Sequence, residues 1–87
     1  MDDMFKIHKR KESGKYYTSY KGKKITMKLI PTMIRYLTME VLNKLGECNG
    51  KIINNIPGRL IEFPTQEDAE KAIDYLCAKM IIEKFSE

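Results

Sequence analysis

Tryptophan is absent from this 87-residue chain, histidine occurs once, and there are only two cysteines and three prolines. Each scarcity excludes something. Cys48 and Cys77 form no CxxC pair, and with His8 as the one imidazole a Cys/His zinc site cannot be assembled. No metal or other cofactor is expected. The thiols read as reduced cysteines, with Cys77 in the core and a disulfide between the two as the lesser alternative. Long apolar runs are missing as well. None approaches the roughly 20 residues that span a bilayer, so no membrane partner is expected. The opening Met1-Asp2-Asp3-Met4-Phe5-Lys6 lacks the apolar stretch of a signal peptide, and no Asn-x-Ser/Thr site occurs. A cytoplasmic protein is the expectation.

Signatures of catalysis are equally scarce. Ser13-Gly14-Lys15-Tyr16 is not a phosphate loop, because the upstream glycine and the following Ser/Thr are absent. No nucleophile–base pair stands out. A small ferredoxin-like hydrolase such as an acylphosphatase would need a glycine-rich anion loop with an arginine, and none is found. His8 reads as a surface residue of a basic strand. The protein is therefore expected not to be an enzyme. Arginine is also rare: Arg10, Arg35 and Arg59 are the only arginines among 16 cations. That argues against base-specific readout by bidentate contacts, which favour the guanidinium fork.

What the chain does have is an uneven spread of charge. Residues 1–28 hold nine cations and three acids, whereas 29–87 hold seven cations and nine acids; +6 and −2 sum to the net +4. Tyr16, Tyr17 and Tyr20 lie inside the basic third. Ammonium groups neutralise phosphates and rings offer faces to bases, so this mixture suits a polyanion. Lysines on exposed strand faces also protect sheet edges from pairing, which is the competing explanation.

At 43% hydrophobic and 32% charged, the chain belongs to the globular class, as one domain over residues 1–87. Phe5 and Ile7 alternate with Lys6 and His8. After the turn signal Glu12-Ser13-Gly14, residues Tyr16–Tyr20 read as a strand, with Tyr16, Thr18 and Tyr20 on one side and Tyr17 on the other. Lys21-Gly22-Lys23 turns. Ile25, Met27 and Leu29 alternate with Lys24, Thr26 and Lys28, which predicts a half-buried strand with a basic outer face. Pro31-Thr32 opens a helix whose stripe is Ile34, Leu37, Val41 and Leu45, with Gly46 as its C-cap. Residues 51–56 and 59–63 read as strands joined around Pro57-Gly58. Thr65-Gln66-Glu67-Asp68 is a capping-box variant that starts a helix with the stripe Ala69, Ala72, Ile73, Leu76, Cys77 and Met80. Residues 80–85 fit either more helix or a closing strand. Met27, Met33, Met39 and Met80 fall in these elements, where core filling is the default role.

The predicted fold is α+β: a two-layer sandwich in which an antiparallel sheet carries two helices on one face. The order is a ferredoxin-like βαββα(β) core over 24–87, preceded by a basic β-hairpin over 1–23. The segment Gly58-Arg-Leu-Ile-Glu-Phe-Pro-Thr-Gln-Glu-Asp-Ala-Glu-Lys-Ala-Ile73 resembles the third strand and second helix of an RNA-recognition-motif domain. Ile61 and Phe63 match its buried pair, and Lys24–Leu29 stands where its first strand would be. The resemblance implies the topology. In that family aromatics on the sheet stack on bases, but the matching positions Thr26, Gly58 and Leu60 are not aromatic, so no RNA-binding residue carries over.

Two functional readings follow. In the first, a non-enzymatic domain binds RNA or single-stranded DNA through the basic N-terminal surface. Lys9, Arg10, Lys11, Lys15, Lys21, Lys23, Lys24 and Lys28 contact phosphates, and Tyr16, Tyr17 or Tyr20 stacks. In the second, the chain is a protein-binding inhibitor that occupies a nucleic-acid-binding host protein. By size and composition alone, it is similar to small phage and mobile-element proteins, anti-CRISPR proteins among them. A homodimer through an exposed strand is a third class.

Overall fold

A computed structural model describes residues 4–34, 38–55 and 58–86. The elements are β1 (Phe5–Lys9), β2 (Tyr16–Tyr20), β3 (Lys23–Lys24), α1 (Ile30–Met33), α2 (Thr38–Glu47), β4 (Lys51–Asn55), β5 (Gly58–Phe63) and α3 (Gln66–Ser86). The predicted α+β class holds. One antiparallel sheet runs in the order β1-β2-β5-β4, with β3 added beside β2, and helices pack on it. Strand β5 lies between β2 and β4, which are joined through α1 and α2, the split β-α-β arrangement of ferredoxin-like folds. The outer place beside β2 is filled by β1 from the N-terminus. The basic hairpin is thus built into the sheet, and β2 is its first core strand.

That finding corrects the strand expected at residues 24–29. Only Lys23 and Lys24 are paired as strand, against Tyr20 and Ser19, and Thr26 makes a single bridge to Leu60. The chain then turns. The Thr26 carbonyl accepts from the Leu29 and Ile30 N–H groups at 3.1 and 3.2 Å, and its hydroxyl accepts from Leu29 N–H at 3.3 Å. Side-chain competition of this kind draws Thr out of strands and into turns. Residues 23–26 fill the wedge where β2 and β5 diverge. These two strands pair only at Tyr16–Phe63 and Tyr17–Glu62, so the wedge closes and leaves no room for a longer strand. Ile25 still reaches the core, together with Ile30 and Ile34.

The first predicted helix is also divided. Pro31 occupies its first turn, and Ile34 takes an extended conformation (φ −129°, ψ 113°) that ends α1. Leu37 of the expected stripe and the Pro57 turn lie outside the described residues, while Val41 and Leu45 on α2 are buried as expected. The cap of α2 is not Gly46 but Asn49, at φ 63°. Asn49 N–H bonds the Gly46 carbonyl at 2.9 Å and Gly50 N–H bonds the Leu45 carbonyl at 2.8 Å. These two bonds make a Schellman ending with asparagine in the left-handed position.

Helix α3 starts as read. Thr65 Oγ1 accepts from Asp68 N–H at 3.1 Å, and its hydroxyl donates to the Asp68 carboxylate at 2.9 Å. Residues 80–86 continue this helix, which excludes the closing strand. Ala69, Ala72, Ile73 and Leu76 are buried against Phe5, Ile61 and Phe63 in one cluster. Cys48 rather than Cys77 is the buried thiol; Cys77 is half-buried at the margin of that cluster, and both are free. Met39 faces solvent instead of filling the core.

Candidate nucleic-acid interface

Strand alternation divides the sheet into two chemistries. Phe5 and Ile7 of β1, Tyr16, Thr18 and Tyr20 of β2, and Ile61 and Phe63 of β5 share the helix-covered face. The paired registers put Lys6 opposite Ser19, His8 opposite Tyr17, Lys24 opposite Ser19, and Tyr17 opposite Glu62 on the other face. Leu60, which bridges to Thr26, lies on that side of the sheet as well but is buried there.

Tyr17 lies at its centre. The His8 ring stacks on it, with centroids 5.0 Å apart and planes 22° from parallel. The Lys24 ammonium sits 5.3 Å from the Tyr17 centroid, within reach of the ring quadrupole. His8 Nε2 lies 2.8 Å from Ser19 Oγ, which fixes the plane of the imidazole against the phenol. Beside this stack the hairpin loop and the wedge segment enclose a cleft of about 320 Å³ lined by Lys9, Arg10, Lys11, Glu12, Tyr17, Lys24 and Leu60. Comparison with protein-family models, curated proteins and solved structures finds no match for this chain.

One wall of the cleft is held by a buried ion pair. Glu62 is 3% exposed, accepts from Arg10 Nη1 at 3.1 Å, and accepts from the Ser13 hydroxyl at 2.8 Å. Arg10 Nε is also 3.4 Å from Glu12. Arg10 is therefore engaged by two carboxylates, and its charge at this surface is largely offset. The loop itself is closed by Gly14 N–H to Arg10 carbonyl and Arg10 N–H to Lys15 carbonyl, both 2.8 Å, with Gly14 at φ 72° where a side chain would be strained.

The structure brings together only part of the set expected from sequence. Lys11, Tyr17 and Lys24 meet around the cleft with Lys9, which reaches it from the end of β1 although its register partner is Tyr16 of the helix-covered face, and Arg10 joins them as a structural cation. Tyr16 and Tyr20 instead pack against the hydrophobic core. Lys21 lies over the Tyr20 ring at 5.3 Å, and Lys23 pairs with Tyr20, so both belong to the opposite face at the far turn. Lys15 and Lys28 are exposed on the hairpin loop and the 27–29 turn. Sequence reading missed Lys6, His8, Ser19, Glu12 and Glu62 as members of this face. The alternation that placed Tyr17 opposite to Tyr16 and Tyr20 already implied Lys6 and His8 on one side of β1. Nothing local in the sequence linked Arg10 to Glu62.

Among the described residues, no group of three or more His, Cys, Asp or Glu could hold a metal ion, and no helix is long and apolar enough to cross a membrane. The open face offers a ring, ammonium groups and a small cleft.

Proposed function

We propose that this protein is a non-enzymatic binding domain that takes up single-stranded RNA or DNA across the open face of its sheet. Tyr17 stacks on a base, and Lys6, Lys9, Lys11 and Lys24 neutralise phosphates. The reading is carried by the Tyr17 site: an aromatic on the outward face of a central strand, beside the Lys24 ammonium and a cleft with further lysines. Lys24 is exposed, so its ammonium can leave the ring for a phosphate and uncover the stacking surface. A single strand suits this site better than a duplex. Its bases are free to splay onto a half-buried ring, while those of a duplex are already stacked and paired. The resemblance to RNA-recognition-motif domains adds support once β2 is taken as the first core strand. Tyr17 then occupies the outward aromatic position that a first strand at 24–29 would have given to Thr26.

Titration of labelled single- and double-stranded oligonucleotides at several salt concentrations tests this. Four neutralised phosphates give a slope of log K against log salt of about −3 on a single strand. Tyr17→Ala is expected to lose about 1–3 kcal/mol, the worth of one stacked base. A flat salt response, or full affinity in the Tyr17 variant, refutes the mechanism. If no oligonucleotide binds at low salt and a protein is recovered as a stable partner, the inhibitor reading takes its place.

A further inference from the structure

Glu12 is out of place in a seat for phosphate. It lines the Tyr17 cleft among Lys9, Arg10, Lys11 and Lys24, where a carboxylate repels the anion that the lysines attract. Yet it is held there. Its loop is closed by the Gly14–Arg10 and Arg10–Lys15 backbone bonds and tied to β5 through Ser13 and Glu62. Its carboxylate lies 3.4 Å from Arg10 Nε, and the side chain is 74% exposed, which leaves acceptor capacity open to solvent at the cleft. An ionised carboxylate accepts hydrogen bonds and donates none. On a base edge it is matched by an amino group and opposed by a carbonyl. Cytosine presents the N4 amino donor where thymine or uracil presents the O4 acceptor.

We infer that the base seated beside Tyr17 is selected for an exocyclic amino group, cytosine over thymine or uracil, with Glu12 as the residue that sets the preference. This rests on the single-strand reading proposed above. Selectivity by a carboxylate also removes the need for arginine forks, which this chain has little means to supply.

The test compares short oligo(dC) and oligo(dT), two pyrimidine strands of similar stacking, by fluorescence anisotropy with the full chain at neutral pH and low salt. Wild type is expected to bind oligo(dC) about five- to tenfold more tightly, near the lower limit for a specific base contact because Glu12 is solvent-exposed. In Glu12→Gln the amide both donates and accepts, so the ratio is expected to fall to about twofold or less. Equal affinities in wild type overturn the inference, as does a preference that survives in Glu12→Gln. Binding of both strands without preference defeats the amino-group selection and leaves the single-strand reading standing. Binding of neither defeats the single-strand reading beneath it.

Discussion

Replacing Arg10 with alanine separates a phosphate contact from a structural cation. The Arg10 guanidinium donates to Glu62 at 3.1 Å, and the Glu62 side chain is only 4% exposed. Removing one partner of a buried ion pair costs about 3–5 kcal/mol, because the remaining charge stays desolvated. The Arg10 side chain is 26% exposed, so water can partly hydrate the orphaned carboxylate, and the Ser13 hydroxyl still donates to it. The expected loss is then at or below the lower end of that range, about 2–3 kcal/mol. For a domain of this size, each kcal/mol moves Tm by roughly 4–8 °C, so thermal unfolding followed by circular dichroism should show a fall of roughly 10–20 °C. The double variant Arg10→Ala/Glu62→Gln should recover part of that fall, since a neutral amide needs less compensation. In oligonucleotide titrations Arg10→Ala should leave the salt slope nearly unchanged, whereas Lys11→Ala should reduce its size by about 0.7. The reasoning fails if Arg10→Ala is as stable as wild type within about 0.5 kcal/mol, the range of ordinary surface substitutions. It also fails if Arg10→Ala lowers the salt slope as much as Lys11→Ala.

Two glycines four residues apart in sequence should respond with opposite sign. A Cβ on Gly50 would lie 2.7 Å from the Leu45 carbonyl oxygen and 2.9 Å from Phe63 Cε1. Gly50→Ala is therefore expected to cost about 1–3 kcal/mol in urea unfolding, as overpacking does. Gly46 has nothing within 4 Å of its Cβ position and lies inside α2, so Gly46→Ala should gain about 0.5–1 kcal/mol. Asn49→Gly should be neutral or stabilising in the same assay, because glycine adopts the left-handed C′ conformation without side-chain strain. Burial pushes the Cys48 thiol above its ordinary value of 9.0. The folded chain holds that proton to higher pH than the unfolded one, so stability contributed by Cys48 is complete below pH 9.0 and declines as pH rises towards the folded value. Cys48→Ala should flatten that alkaline decline, and native-state alkylation followed by mass spectrometry should label Cys48 more slowly than Cys77.

Much of this molecule is legible in local pattern. The Thr65 cap and the stripe Ala69, Ala72, Ile73 and Leu76 identify α3, since an amphipathic helix and its cap are defined within a few residues. Alternation in Tyr16–Tyr20 identifies β2 and, in the same stroke, assigns Tyr17 to the face opposite Tyr16 and Tyr20. The α+β class and the helix-covered antiparallel sheet follow from the order of such segments.

Other features depend on partners distant in sequence. Ile25, Met27 and Leu29 alternate as a strand would, but the wedge between β2 and β5 admits only the first part of that segment, and the Thr26 hydrogen bonds turn the rest. Charge shows the same division. The sequence by itself determined that cations crowd the first third of the chain. Only the tertiary structure decided which of them stand together around Tyr17, which lie at the far turn, and that Arg10 is held by Glu62, 52 residues away. Backbone periodicity is a property of neighbours, whereas a surface potential is a sum over side chains that folding brings together.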